Sequence, residues 1–292
     1  MAGTKTQFEE FLDAEVQKYR GVYVPVKSGL LRRMLTRTCA RKKLHPNPDD
    51  EFCMPDIGPN YEIIGRYEQD IRNARKHSQK DTFSDRLIIE RIRPDGYMIL
   101  NGHHRWAAAM RCGIGSLPVQ LVNLTSIADI RKALDQSTST KRVTMDLDEV
   151  VMAGDGRAEK ALPFPFGLIY RERIRLGIPA LSRMLSNKGI DLWIYTSRYY
   201  APEYLQHLMK LYHVYVRGVV TGVGPQRKGE AEDHAKMNQL LTSHYADTYH
   251  IDGRAIVHIN SSRKNFEEAA LSGEPETWSR EIMDFFRKVP EA

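Results

Sequence analysis

From residue 141 onward, strand-like and helix-like stretches alternate: strand 142–147, helix 172–188, strand 191–196, helix 202–212, strand 215–220, helix 229–243 and strand 248–251. Strands joined through helices pair in parallel, so this half of the chain is confined to an open parallel sheet with helices on both faces. Ligands of such sheets bind beyond the carboxyl ends of the strands. The strand 142–147 ends in Asp146 with Asp148 two residues on, 191–196 ends in Thr196, Lys228 stands just before a helix, and Asp252 follows 248–251. Two carboxylates at i, i+2 on one side of a strand end repel each other unless a cation or a shared proton offsets them. Magnesium, which prefers oxygen ligands, suits them. The plain reading of the same residues is solvated loop acids, a turn aspartate before Gly253 and a surface lysine.

The first half reads differently. Helices are expected over 7–20, 29–43 and 62–80, and a loop over 45–60, where Pro46, Pro48, Pro55, Pro59 and Gly58 exclude long regular structure. Strands 86–92 and 97–100 flank the turn Pro94-Asp95-Gly96, a helix covers 105–111, and a further strand covers 119–122. The polar run Asp135-Gln-Ser-Thr-Ser-Thr-Lys141 separates the halves, giving expected domains 1–135 and 141–292. Between strand and helix stand Asn101, Gly102, His103, His104 and Arg105. A helix start offers backbone N–H groups and a positive dipole, and a glycine permits close approach, so the junction suits a phosphate; it also suits an ordinary capped turn.

Residues 1–140 carry 22 Lys and Arg against 17 Asp and Glu, and 141–292 carry 21 against 20. Seven basic residues and no acid fall within 26–45. That favours an anionic partner, or else a solvated helix face with Leu30, Leu31, Met34 and Leu35 packed beneath it. The longest charge-free stretch, 112–128, holds Gly113, Gly115 and Pro118 and is too short and polar to span a bilayer. Cys39, Cys53 and Cys112 include no C-x-x-C pair, which argues against a disulfide framework or thiolate zinc site. With no apolar signal core at the N-terminus, the expectation is a cytoplasmic protein without membrane partners.

Asp146-x-Asp148-x-Val150, Thr196, Lys228 and Asp252 resemble the four motifs of the haloacid dehalogenase (HAD) superfamily of phosphohydrolases, over roughly residues 141–285. The resemblance implies a Rossmannoid α/β domain, with Asp146 as the nucleophile forming an aspartyl-phosphate and Asp148 as general acid and then base. It also implies Thr196 and Lys228 as phosphate holders, and Mg²⁺ held by Asp146, Asp148 and Asp252. Gly253 and Arg254 stand where the family usually has another acid. The intervals 146–196 and 198–228 leave no room for a large cap, and capless members of the family accept large substrates or borrow a cover from another domain.

Residues 86–123, with Gly102-His103-His104-Arg105 and Leu117-Pro118-Val119, resemble the ParB/sulfiredoxin superfamily, an α+β domain that binds nucleotide phosphates at its Gly-x-x-Arg signature. The resemblance implies ATP, ADP or CTP at Asn101–Arg105. His103 replaces the cysteine of sulfiredoxins, and no helix-turn-helix segment follows as in chromosome-partitioning members. The histidine-rich variant is most similar to kinase-type members, in which an upstream loop acid serves as base; Glu51 is the candidate, against a plain solvated acid. The expected function is therefore a magnesium-dependent phosphomonoesterase acting on a phosphorylated small molecule or nucleic-acid end. The alternatives are a kinase, nucleotidase or nuclease in the first domain, or a nucleic-acid-binding adaptor with a vestigial phosphatase.

Overall fold

A computed structural model of the protein describes residues 6–77, 85–152, 157–222, 228–261, 265–272, 274 and 276–291. The chain divides into two units, Met1–Asn123 with Gly224–Glu232, and Leu124–Val223 with Asp233–Ala292. Both are mixed α/β, and each contains a six-stranded sheet with parallel and antiparallel pairs.

In the first unit, α1 (Gln7–Tyr19) starts at a reciprocal cap: the Glu9 N–H donates to Thr6 Oγ1 and the Thr6 N–H to Glu9 Oε2. Its Leu12, Val16 and Tyr19, at helical spacing, are buried. There follow β1 (Val24–Pro25), α2 (Leu30–Leu35), β2 (Thr38–Ala40), β3 (Leu44–His45), α3 (Tyr61–Lys76), β4 (Leu87–Arg93), β5 (Tyr97–Asn101), α4 (His103–Arg111) and β6 (Ser116–Val122). The sheet order is β2-β6-β4-β5-β3, with β1 paired to β4. Central β4 lies antiparallel to β5 and parallel to β6. Ala107, Ala108 and Ala109 are fully buried, so α4 packs closely, against α3 among others.

The expected basic helix over 29–43 is broken. Only α2 is helical there; Thr38–Ala40 pairs with Ser116–Pro118 as a strand, and Arg41–Lys43 forms a short turn. Partner strand β6 overrides the local helical period, as tertiary pairing commonly does. The four apolar residues of α2 do not pack beneath a basic face: Leu30, Leu31, Met34 and Leu35 are 56–78% exposed.

The second unit comprises α5 (Ile127–Asp135), β7 (Lys141–Asp146), α6 (Phe166–Ile169), α7 (Ile178–Asn187), β8 (Asp191–Thr196), α8 (Pro202–Leu211), β9 (Gly218–Thr221), α9 (Lys228–His244, from Asp233 onward), β10 (Asp247–Ile251), β11 (Ala255–Asn260), β12 (Asn265–Ala270) and α10 (Trp278–Lys288). Strand order is β12-β11-β10-β7-β8-β9, with β10, β7, β8 and β9 parallel. The alternation along β8 builds two cores. Leu192 and Ile194 join Leu181, Leu185, Leu205 and Phe286 on one face, while Trp193 joins Ile130, Leu134, Val220 and Leu241 on the other. Gly218 lies opposite Trp193, and a Cβ there would come within 2.3 Å of the indole.

Three expectations shift here. The units divide after Asn123 rather than within 135–141, because Ile130 and Leu134 of α5 pack on Trp193 and Val220. The helix expected from 172 begins at Ile178: Ile174 and Arg175 pair with Met152 and Ala158, and Gly177 (φ 90°) turns the chain into α7. The parallel sheet is extended by an antiparallel edge, β11 and β12, and only α10 is helical beyond residue 264 among the described residues.

Candidate active site

In the second unit, the register places the implied residues side by side. Ile251 pairs with Met145 and Tyr195 with Asp146, so Asp252, Asp146 and Thr196 stand at the carboxyl ends of adjacent strands β10, β7 and β8. The chain leaves β7 toward β8 and β9 on one side and returns to β10 on the other, so the strand order reverses beside Asp146, the usual place for a ligand in an open α/β sheet.

Backbone groups fix two of the carboxylates. A single wide helical turn, Leu147–Val151, follows β7, and Asp146 Oδ1 caps it by accepting the N–H groups of Asp148 (2.7 Å) and Glu149 (2.8 Å). Asp252 Oδ1 likewise accepts the N–H groups of Arg254 (2.6 Å) and Ala255 (2.7 Å). Asp148 is held by side chains. Thr196 Oγ1 donates to its Oδ2 at 2.8 Å, and Arg198 Nε faces its Oδ1 at 2.9 Å. Thr196 is buried, and its hydroxyl oxygen also accepts the Arg198 backbone N–H at 3.1 Å. Arg198 thus belongs to the site although the sequence reading passed over it; its signal was its place directly after Thr196-Ser197 at a strand end. A hydrogen bond with Tyr200 and the charge of Asp148 both raise its pKa further.

Among the described residues no group of three or more His, Cys, Asp and Glu is gathered to hold a metal. The expected three-carboxylate set Asp146, Asp148 and Asp252 is therefore not assembled, for Asp148 is turned to Thr196 and Arg198. Asp146 and Asp252 are the pair the sheet brings together. Lys228 opens α9, and its side chain lies outside the described residues.

In the first unit, Gly102 takes a left-handed conformation (φ 102°) between β5 and α4. A Cβ there would approach the Arg105 guanidinium at 3.0 Å and Leu87 at 3.1 Å. Arg105 is buried and folds back, donating to Asn101 Oδ1 at 3.0 Å and the Arg86 carbonyl at 3.3 Å. His103 Nε2 accepts the Asn47 N–H at 3.1 Å, and His104 Nε2 accepts the Asn60 N–H at 3.2 Å. Both imidazoles therefore act through Nε2 as struts that hold the 45–60 loop against α4, so Nε2 of neither is a donor for a phosphate. Phe52 stacks on His103 with ring centroids 5.5 Å apart. Glu51 is exposed; the loop acid turned to His103 is Asp50, its Oδ2 at 3.5 Å from Nδ1, because Asp50 caps the short turn through the Phe52 N–H.

Burial lowers the pKa of His104, against an opposing pull from Asp50. The folded state thus binds this proton less readily than the unfolded chain. The contribution is complete above the ordinary histidine pKa of about 6.5 and is lost as pH falls below it toward the depressed folded value. Stability of the first unit followed by urea unfolding between pH 7.5 and 5 is expected to decline more steeply for the wild type than for His104→Gln. Equal slopes would show that His104 is not held neutral.

No helix among the described residues is long and apolar enough to cross a membrane. No family model matches the chain, and no curated protein matches it. Among solved structures, a C-terminally truncated chromosome-partitioning protein ParB from Caulobacter crescentus, crystallised with CTP-γ-S, is similar at 21% identity with a TM-score of 0.24. The match covers 34% of this chain and 59% of that one, and a likeness of this score carries no conclusion about fold or function.

Proposed function

We propose that the second unit hydrolyses phosphomonoesters through a phosphoaspartate on Asp146, with magnesium as cofactor, and that the first unit binds a nucleotide phosphate at the start of α4. The main support for the hydrolase is the meeting of Asp252, Asp146 and Thr196 at three adjacent strand ends, with Asp148 bonded to Thr196. For the first unit, the support is the helix start itself. The opening amides of an α-helix have no carbonyl within the helix to pair with, and Gly102 keeps side-chain bulk away from them.

The donor set fits magnesium, which takes one or two carboxylates and completes its shell with water and substrate phosphate. Asp146 and Asp252 would hold it, each having one oxygen fixed by backbone amides. A bound ion supplies positive charge against the phosphoryl oxygens. Asp146 attacks phosphorus, forming a carboxylate–phosphorus bond as the bond to the ester oxygen breaks, and Asp148, which enters the cycle in its protonated form, gives that proton to the leaving oxygen. Asp148 then takes a proton from water, the resulting hydroxide attacks phosphorus, and the bond to Asp146 breaks. One water is consumed and an alcohol and inorganic phosphate are released. Thr196 holds a phosphoryl oxygen in this scheme.

The test is hydrolysis of p-nitrophenyl phosphate with and without magnesium. Chelation is expected to lower kcat/KM by about a hundredfold or more, the scale of losing one preorganised charge, and readdition of magnesium to restore it. Activity untouched by chelation would remove the metal from the reading. A complete lack of turnover with magnesium would overturn it in favour of a binding module.

A further inference from the structure

Beyond Asp148, a row of aromatic rings runs outward along one side of the second unit. Arg198, paired with the Asp148 carboxylate and two residues before Tyr200, has its side chain 65% exposed. The Tyr200 and Tyr204 rings are parallel within 7°, centroids 6.0 Å apart, and Tyr170 follows Tyr204 at 4.8 Å. The last ring also borders a cavity of about 490 Å³ that Arg171, Phe164 and Leu168 help to line.

The three rings are half-buried, packed against the main core of the unit. Two of their hydroxyls are engaged as well: Tyr204 donates to Glu172 Oε2 at 2.5 Å, and Tyr170 bonds His207 Nδ1. Rings already held by packing lose little freedom when a ligand stacks on them. A cation beside the carboxylate site followed by flat π-faces matches a molecule with a phosphate at one end and a planar ring beyond it.

We infer that Arg198, Tyr200, Tyr204 and Tyr170 form a substrate subsite that receives the nucleoside part of a phosphomonoester, the base stacking on Tyr200 while its phosphate lies at Asp146. This rests on the phosphohydrolase reading and names the substrate class for it. A phosphoserine peptide is less well matched, since it carries no planar ring beyond its phosphate to lie on Tyr200, which stands just before helix α8.

Adenosine 5′-monophosphate and ribose 5-phosphate differ only by the base, so the ratio of their kcat/KM values reads the subsite. The wild type is expected to favour the nucleotide by about tenfold or more, the range for one base–aromatic stack. Tyr200→Ala is expected to bring the ratio close to one, whereas Tyr200→Phe, which keeps the ring, retains it. A ratio that Tyr200→Ala leaves unmoved, or a phosphoserine peptide preferred to both esters, would overturn the subsite. A 5′-phosphorylated single-stranded tetranucleotide separates the two sources: a higher kcat/KM than the mononucleotide identifies a nucleic-acid end, and a lower one identifies a free nucleotide. Photolabelling with 8-azidoadenosine 5′-monophosphate gives a readout that needs no turnover. Label on the peptide carrying Tyr200 and Tyr204 supports the subsite, and label only elsewhere overturns it. If none of the esters is hydrolysed, the phosphohydrolase reading falls, and the labelling still decides the aromatic subsite.

Discussion

Asp146→Asn is expected to lower kcat for p-nitrophenyl phosphate by at least about 10³-fold while leaving the unfolding transition of the second unit nearly in place. The two effects separate because the proposed scheme gives the side chain two tasks on two oxygens. Oδ1 caps the wide turn after β7 through the Asp148 and Glu149 N–H groups, and asparagine keeps an oxygen for that purpose. The substitution removes the negative charge and the nucleophilic oxygen, and losing such a group typically costs several kcal/mol of transition-state stabilisation. Asp146→Ala should be equally inactive but additionally less stable by about 1 kcal/mol, because the cap is gone. Steady-state rates and urea midpoints on the three proteins check this. Wild-type turnover in Asp146→Asn would end the phosphoaspartate scheme.

Trp193→Ala carries the largest expected loss of stability, about 3–5 kcal/mol, read as a lower urea midpoint of the second unit at unchanged slope. The indole is fully buried, its Nε1 donates to the Tyr245 hydroxyl at 3.0 Å, and that hydroxyl donates to Asp191 Oδ2 at 2.7 Å. Truncation leaves a cavity between α5 and α9 and removes a buried hydrogen bond. Gly218 supplies an internal control. Gly218→Ala alone should destabilise, because its methyl would meet the ring at 2.3 Å, yet the same change made on Trp193→Ala should be close to neutral. Additive losses would show that the close approach of ring and backbone is relaxed in solution.

What could be read in advance follows from where the information lies. The strand ends at Asp146, Thr196 and Ile251 were legible because short β-forming runs, Leu192-Trp-Ile-Tyr195 the clearest, stop at polar side chains, and the parallel order followed from the helices between them. Residues 29–43 were not. Their spacing suits a helix, and only the distant partner Ser116–Pro118 makes Thr38–Ala40 a strand. The same holds for β12, where Phe266-Glu-Glu-Ala-Ala270 has good helix formers held extended by β11. At the candidate sites, residue types were legible and their pairings were not. Asp50 and Glu51 are neighbours in sequence, but a short capped turn presents Asp50 to His103 and leaves Glu51 in solvent. Arg198 was hidden by the motif beside it, since its role depends on where its guanidinium reaches rather than on its spacing.

The strand order has a consequence for the chain as it is made. β7, which carries Asp146, lies between β8 and β10, and β10 begins only at Asp247, about a hundred residues later. At 5–20 residues per second, roughly 5–20 seconds of synthesis pass in which one side of β7 has no neighbour. During that interval its unpaired N–H and C=O groups offer a template to other chains. The strand that bears Asp146 thus stays an open edge of the nascent protein until Asp247–Ile251 leaves the ribosome and closes it.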